Sequence, residues 1–250
     1  MRLQLSTWPD VEAYLKRSTA IVIPVGSTEQ HGPNGFIGTD ALCPEILAKG
    51  LSEKTGALIA PTMSVGMAQH HLGFPGSVTL RPSTMIAAVL DWLNSLARHG
   101  FDRFYFLNGH GGNIATLTAA FSELYAQSSL GTAATNRAGL RCKLRNWWDA
   151  PGIRGLSSEL FGADEGSHAT CSEVSLTWYA YPDEARRDVR FDGRAPEGPI
   201  YEADDFRRRF PDGRMGSNPE RASIEAGKRI YETALAGLVD DYRSFSDSKD

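Results

Sequence analysis

The sequence has few cysteines, no long apolar run and little clustering of basic residues. Only three cysteines occur in 250 residues, and Cys43, Cys142 and Cys171 are far apart. Three scattered cysteines do not make a disulfide framework, so we expect a reducing, cytoplasmic environment. No apolar run approaches the length that crosses a membrane, and the first residues lack a signal peptide's charged and apolar regions. We therefore expect no membrane partner.

The 26 basic residues form only one short cluster, at residues 207–209, and the net charge at pH 7 is −4. Nucleic-acid-binding proteins usually carry a larger basic patch, so we expect no nucleic-acid partner. Hydrophobic residues make up 41% of the chain and charged residues 22%, as is usual for a folded globular protein. Because no repeat or linker interrupts the sequence, one domain over residues 1–250 is the simpler interpretation.

Short apolar runs alternate with amphipathic segments along the chain. The runs at 20–25, 57–60, 77–80, 101–107 and 140–147 predict strands, and the segments at 41–54, 83–99, 114–127, 170–179 and 219–242 predict helices. Ser83 is a candidate N-cap, and Pro219 a candidate first-turn residue. This order predicts an α/β fold in three layers, α/β/α, with a mostly parallel sheet. Residues 183–216 lack periodicity and predict a long surface excursion.

The loop after the first predicted strand carries Glu29, His31 and Asp40. Glu29 and His31 are two residues apart, so in an extended segment their side chains point to the same side. Two carboxylates and an imidazole suit Zn, Mn or Fe, and a carboxylate can bridge two ions. Ligands bind at the carboxyl ends of strands in open α/β sheets, which makes this loop a candidate site. An ordinary surface loop is the alternative.

A second loop, residues 108–113, holds His110 among three glycines after the predicted strand 101–107. Glycines allow close approach of the backbone, so the loop favours either an anion site at a helix N-terminus or a rigidly held metal ligand. Its spacing matches neither the dinucleotide fingerprint nor the P-loop, and no lysine follows. A turn with a surface histidine is the remaining alternative.

Three further stretches hold candidate site residues. His168 precedes the predicted helix 170–179 and Glu173 lies in its first turns, where an acid can also simply complement the helix start. Adjacent His70 and His71 are more typical of a solvated surface than of a ligand set, and only His71 is kept as a possible pocket residue. Trp148 is either a core residue or a substrate contact.

Taken together, these motifs resemble the creatininase family. Residues 29–33 with 38–40, 108–113 and 167–175 carry the resemblance, residues 73–76 and 216–219 support it, and it covers nearly the whole chain. Members of that family are dinuclear metal hydrolases that open amide-like C–N bonds, among them a creatinine amidohydrolase, a formamidopyrimidine ribonucleotide deformylase and a mycofactocin peptidase. The resemblance implies a creatininase-like fold, two divalent ions (Zn, Mn or Fe) per subunit, a small amide substrate and a homo-hexamer.

The resemblance also implies a role for each candidate residue. The implied metal ligands are Glu29, His31, Asp40, His110 and Glu173. Asp40 would bridge the two ions, and Glu173 would also belong to the catalytic set. His168 would shuttle a proton or contact substrate. The implied substrate contacts are Trp148, His71 and Gly111.

The chain departs from creatinine-cleaving members at several of these positions. Gly111 and Gly112 stand where those enzymes carry Tyr and Glu, and that Glu is a metal ligand, so Glu173 would take its place. Asp164 replaces a substrate-stacking Trp. We therefore expect a small polar amide or formamide other than creatinine. The alternatives are a peptidase acting on a short peptide, a non-catalytic metal-binding subunit, and a nucleotide-binding module that uses residues 108–113 for phosphate.

Overall fold

The computed structural model describes residues 1–132 and 139–248. Within these residues, one parallel sheet has the strand order β2-β1-β3-β4. Its strands are β1 (Ala20–Val25), β2 (Leu58–Ile59), β3 (Arg103–Asn108) and β4 (Arg141–Asn146). Four of the five predicted strands are thus confirmed, with ends that differ by no more than two residues.

Helices cover both faces of this sheet. They are α1 (Trp8–Leu15), α2 (Thr39–Thr55), α3 (Pro82–His99), α4 (Asn113–Ser129), α5 (Ile153–Phe161), α6 (Cys171–Ala180), α7 (Ala203–Arg209) and α8 (Ile224–Ser246). Side chains of α2, α5, α6 and α8 form one core with the sheet, and those of α1, α3 and α4 form the other. The three-layer α/β/α prediction is confirmed. None of the helices in the described ranges is both long and apolar enough to span a membrane.

The central strands are apolar because both of their faces are covered. Val22 of β1 and Tyr105 of β3 lie in the core with α2 and α8, whereas Ile23 and Phe106 lie in the opposite core. Side chains alternate between the two faces along a strand, so a strand that is covered on both faces needs apolar side chains at nearly every position. Burial on both faces therefore explains the unbroken apolar runs from which these strands were predicted.

The crevice between the carboxyl ends of β1 and β3 is the topological switch point of the sheet. Val25 at the end of β1 pairs with Asn108 at the end of β3. After β1 the chain forms α2 on one face and β2 on one side, whereas after β3 it forms α4 on the other face and β4 on the other side. Diverging connections leave an open crevice at this point, where open α/β sheets bind ligands.

Three predicted elements differ from the structure. Residues 77–80 form no strand, because Val78 N–H donates to Thr28 O and Leu80 N–H to Gly66 O, so they pair with two loops. Helix α3 begins at Pro82, one residue before the predicted cap Ser83. The turn at Pro219–Arg221 is separate from α8, which Ser223 caps by accepting the Ala226 N–H at 3.1 Å.

The predicted excursion 183–216 is irregular except for α7. Glu202 caps this helix by accepting the N–H groups of Asp204 and Asp205. With only seven residues, α7 buries Phe206 alone, which is too little for a helical period to show in the sequence. Phe206 anchors the segment in a cluster with Phe74, Phe210 and Met215. At the other end of the chain, α8 continues to Ser246, beyond its predicted end, and residues 249–250 lie outside the described residues.

Candidate metal centre

Four segments bring the predicted ligands together at the switch point. Glu29 and His31 lie in the loop after β1, and Asp40 in the first turn of α2. His110 lies between β3 and α4, and Glu173 in the first turn of α6. All five side chains are buried, and Glu29 is wholly inaccessible to solvent. The surface-loop interpretations of the first two loops are therefore wrong.

Asp40 occupies the middle of this cluster. Its Oδ1 lies 3.0 Å from His31 Nε2, and its Oδ2 lies 2.7 Å from His110 Nδ1. Beyond these imidazoles, His31 Nε2 is 3.7 Å from Glu173 Oε1, and His110 Nε2 is 3.4 Å from Glu29 Oε2. Three carboxylates and two imidazoles thus alternate in a continuous chain.

The donor atoms fall into two groups of three that share Asp40. One group is Glu29, Asp40 and His110, and the other is His31, Asp40 and Glu173. Within each group, one donor atom per residue lies within 4.8 Å of the others. A further group contains Glu29, His31 and His168. Both oxygens of buried Glu29 lack a hydrogen bond of acceptable geometry, although His71 Nε2 is 3.1 Å from Oε1. Unsatisfied buried carboxylate oxygens fit a cation site.

Electrostatics within the cluster are strong enough to overcome burial. Burial lowers the pKa of His31, but attraction by Asp40 and Glu173 outweighs this effect and raises it to about 10. In the same way, Glu29 and Asp40 raise the pKa of His110 to about 9 against burial. Despite burial, His31 and His110 hold the pKa of Asp40 well below its usual range. The acids therefore attract positive charge strongly, and a divalent cation would supply it by displacing protons.

Glu173 has two structural roles in this arrangement. The Thr170 N–H donates to Glu173 Oε1 at 2.5 Å, and the Glu173 N–H donates to Thr170 Oγ1 at 3.3 Å, which forms a capping box. The same Oε1 faces His31. Burial raises the pKa of Glu173 to about 7. Helix capping and membership of the buried cluster were alternatives in the sequence, but the structure combines them.

The glycines of the His110 loop serve close packing. A Cβ on Gly109 would overlap the carbonyl oxygen of Asp40, and one on Gly112 would overlap the His110 ring. The loop's amides are partly used already, since His110 N–H donates to Asn108 Oδ1 and Asn113 N–H to the His110 carbonyl. This arrangement favours a held imidazole over a phosphate cradle. Gly111 differs from its neighbours, because a Cβ there would meet nothing within 4 Å.

A cavity of about 610 Å³ opens above the cluster. Its walls include the predicted substrate contacts His71, Gly111 and Trp148, together with His168. They also include residues that the sequence analysis did not select, namely His70, Arg154, Glu165, Ile200 and Phe206. Glu165 adjoins the selected segment 167–175, and this proximity was the signal that could have identified it as a cavity residue. The sequence offered no such signal for Phe206.

The solvated-surface interpretation of His70 and His71 is wrong. Both side chains are buried, and their rings pack with centroids 4.1 Å apart. Phe206 of α7 covers them, with centroid distances of 5.3 Å to His70 and 4.7 Å to His71. Residues of the 183–216 excursion thus line this chain's own cavity.

His168 lies at the edge of the cluster and is buried beside Gln30. Its Nε2 is 2.8 Å from the Gln30 carbonyl oxygen, and its Nδ1 is 3.7 Å from Glu29 Oε1. Burial lowers the pKa of His168 well below its usual value, so the imidazole is neutral. A neutral imidazole beside a cavity can accept a proton. The sequence analysis also did not select Gln30, although it lies between the predicted ligands Glu29 and His31.

The chain belongs to the creatininase family, since the sequence pattern described as "Creatininase: Creatinine amidohydrolase" matches residues 4–241. It is 29% identical to the creatinine amidohydrolase of Pseudomonas putida, over 95% of this chain and 94% of that one. It is 34% identical to the mycofactocin precursor peptide peptidase of Mycolicibacterium smegmatis, over 88% of this chain and 83% of the relative. Both relatives are hydrolases.

Solved structures agree with this assignment. Structures described as "Creatininase Mn" and as a mutant creatininase of "Zn-Zn type" each match with a TM-score of 0.85 and 26% identity. Each alignment covers 99% of this chain and at least 98% of the other. The creatininase-like fold that the sequence predicts is therefore confirmed.

Proposed function

We propose that this protein is a dinuclear metal-dependent amidohydrolase that cleaves a C–N amide bond of a small polar substrate. The observation that carries the proposal is the pair of three-residue groups sharing Asp40, at the base of a cavity that His168 also lines. The family supplies independent support, because its amidohydrolase and peptidase members both cleave C–N bonds.

The donor set fits two divalent cations. Glu29, Asp40 and His110 would hold one ion, and His31, Asp40 and Glu173 the other, with Asp40 shared. When bound, the ions supply Lewis acidity, which polarises a carbonyl and lowers the pKa of water toward neutrality. Carboxylate and imidazole donors suit Zn, Mn and Fe, and solved relatives described with Mn and Zn agree with that range.

The chain's own residues perform the proton transfers and position the substrate. Neutral His168 accepts the proton of the attacking water and delivers it to the departing nitrogen. Trp148 and His71 form the walls against which the substrate rests, and Gly111 leaves room for it. Glu173 is kept in place by its capping box, so its carboxylate faces the cluster in a fixed orientation.

We propose a cyclic amide or formamide other than creatinine as the substrate. Gly111 leaves open space where creatinine-cleaving enzymes carry a larger side chain, and Asp164 replaces an aromatic residue. A short peptide is the second candidate, favoured by the 34% identity to a peptidase and by a cavity of about 610 Å³. The homo-hexamer, the single domain and the cytoplasmic location stay predictions.

The test is a hydrolysis screen of protein loaded with Zn, Mn or Fe. The panel contains cyclic amides including creatinine, N-formyl compounds and short peptides, and amine release is measured. We expect turnover of at least one class, loss of activity with chelator, and a 10²- to 10⁴-fold lower kcat in His168→Ala at unchanged metal content. Turnover that ignores both chelator and His168→Ala would overturn the proposal, as would full metal occupancy without any turnover.

A further inference from the structure

Gln30 is a buried amide whose orientation the structure defines. Its Oε1 accepts the N–H of Gly32 at 2.8 Å. A backbone N–H can only donate, so the oxygen of the amide must lie on this side and the NH₂ group on the other. The NH₂ group therefore faces the imidazoles of the candidate site.

Two acceptors use both hydrogens of this NH₂ group. Gln30 Nε2 lies 2.8 Å from the Gly213 carbonyl oxygen and 2.9 Å from His71 Nδ1. An amide NH₂ group has two hydrogens, and the carbonyl can only accept. A third neighbour, His168 Nε2 at 3.0 Å, must itself donate to the Gln30 carbonyl 2.8 Å away and cannot accept. His71 Nδ1 therefore accepts the second hydrogen, which leaves the ring proton of neutral His71 on Nε2, 3.1 Å from Glu29 Oε1.

The hydrogen-bond partners of His168 determine its tautomer in the same way. Its Nε2 lies 3.0 Å from Gln30 Nε2 and 2.8 Å from the Gln30 carbonyl oxygen. The carbonyl can only accept, so His168 Nε2 carries the ring proton, donates it there and receives no hydrogen from the amide. The lone pair of His168 is therefore on Nδ1, the nitrogen that lies 3.7 Å from Glu29 Oε1.

We propose that Gln30 is the positioning residue of the site: its side chain fixes the tautomer of His71, and its backbone carbonyl fixes that of His168 so that Nδ1 is the proton acceptor. The inference deepens the proposed function and rests on it for the role of His168. The His71 and His168 rings are stacked with centroids 4.3 Å apart, so holding one also restrains the other.

Gly213 supplies a separate sign that the Gln30 amide is held in this place. Its φ is +86°, and a Cβ there would overlap the Gln30 side-chain amide. The loop that follows α7 therefore closes directly onto Gln30. Within this arrangement, a side chain at residue 213 would displace the donor from His71.

The proton transfer follows from this arrangement. As the oxygen of water forms a bond to the amide carbon, its O–H bond breaks and the proton goes to His168 Nδ1. When the C–N bond breaks, its electron pair goes to nitrogen, which takes the proton from Nδ1. Nε2 keeps its proton throughout, because the Gln30 carbonyl continues to accept it.

The test is ring ¹⁵N NMR of the zinc-loaded protein with labelled histidine, which reports the protonated nitrogen of each ring. The chain has only six histidines, so single substitutions assign them. We expect His71 and His168 both to carry the proton on Nε2 in the wild-type protein. A His168 proton on Nδ1 would overturn the proposal.

Two substitutions separate the side chain from the backbone. Gln30→Glu places an acceptor oxygen opposite His71 Nδ1, so the His71 proton should move to Nδ1. Gln30→Met keeps the volume but removes the donor, and both His71 tautomers should appear. His168 should keep its Nε2 proton in both variants, because its partner is the backbone. An unchanged His71 spectrum in both variants would contradict the proposal.

Matched controls identify a merely structural effect. Asn34 is a buried amide in the same loop, and it donates to the Pro219 carbonyl at 3.0 Å and not to an imidazole. Asn34→Leu should leave the ring spectra unchanged. Gly213→Ala should disturb His71, whereas Gly193→Ala, at φ +70° with nothing within 4 Å, should not. A specific role for Gln30 would be contradicted if Asn34→Leu disturbed the ring spectra as much as the Gln30 substitutions do. It would also be contradicted if Gly193→Ala disturbed them as much as Gly213→Ala.

Failure of this inference can be distinguished from failure of the proposed function. The NMR measurement needs no substrate, so the predicted tautomers in a protein that hydrolyses nothing would refute only the function. On a substrate from the screen, Gln30→Met should lower kcat about 10-fold or more with a smaller effect on KM, because a loosened His71 ring no longer restrains the His168 ring stacked on it. A rise in KM alone would argue against the positioning role.

Discussion

Asp40 Oδ2 lies 2.7 Å from His110 Nδ1, although the two residues belong to segments that lead into helices on opposite faces of the sheet. Asp40 opens α2, and His110 precedes α4. Their contact depends on the neighbouring positions of β1 and β3, whose ends pair at Val25 and Asn108. The shared carboxylate of the candidate centre is thus a product of strand order.

Gly109 should be essential for this contact. Its missing side chain allows the His110 loop to rest against the Asp40 carbonyl, so Gly109→Ala should cost about 1–3 kcal/mol of stability and weaken metal binding. Gly111→Ala, two residues away in open space, is the control for stability and should change it by less than about 0.5 kcal/mol. Urea unfolding and metal titration measure both effects. Equal stability of the two variants would contradict this packing.

The capping and ligand roles of Glu173 should be separable. Glutamine can replace glutamate in a capping box but brings no charge, so Glu173→Gln should leave the stability of metal-free protein within about 1 kcal/mol of wild type. The same variant should bind metal more weakly. Glu173→Ala should lose both the cap and metal affinity. Thermal unfolding and metal analysis test this, and wild-type metal content in Glu173→Gln would exclude a ligand role.

Trp148 should affect substrate binding more than metal binding. It lines the cavity and packs edge-on against Trp147, with ring centroids 6.3 Å apart. Trp148→Ala should raise KM for the substrate found by the screen about 10-fold, by loss of apolar contact, at unchanged metal content. Trp92→Phe, on α3 at the far face, is the matched control. Similar KM values in both variants would remove Trp148 from the substrate contacts.

Asp241 of α8 should give stability a specific pH dependence. Burial would raise the pKa of Asp241, but hydrogen bonds from Arg145, Lys143 and Tyr105 hold it below its usual value. A carboxylate whose pKa is lower when folded stabilises the fold above its unfolded pKa of about 4, and this contribution is lost as pH falls through the folded value. Asp241→Asn should therefore cost about 1–3 kcal/mol at pH 7 and flatten the acid side of the stability curve.

The control for Asp241 is the exposed pair Glu159–Arg229, whose atoms lie 2.9 Å apart. Glu159→Gln should change stability by less than about 0.5 kcal/mol, because exposed ion pairs contribute little. Urea unfolding from pH 3 to 8 measures both variants. Parallel curves for the wild type and Asp241→Asn would show that the carboxylate does not supply this dependence.

The sequence predicted the sheet and the cluster well because both follow from local patterns. Strands buried on both faces read as apolar runs, and polar loops after parallel strands must meet at one edge of the sheet. This is why Glu29, His31, Asp40 and His110 could be grouped from the sequence alone. The ligand role of Glu173 came from the family resemblance.

The features that could not be predicted from the sequence depend on contacts between residues far apart in the chain. The role of Gln30 requires Gly213, which is 183 positions away in the chain. Phe206 covers His70 and His71, a pair that the sequence alone suggested was solvated. The run at 77–80 has the composition of a strand, but its N–H groups bond to loops. No local pattern encodes these partners.

Metal content of the purified protein, compared between wild type and Asp40→Asn, tests the central claim most directly. Elemental analysis after loading with Zn or Mn and removal of excess ions should give about two ions per wild-type chain. The variant should hold far fewer, because both donor groups contain Asp40. Wild-type protein that retains no ion, or Asp40→Asn protein that retains the full wild-type amount, would contradict a carboxylate-bridged centre.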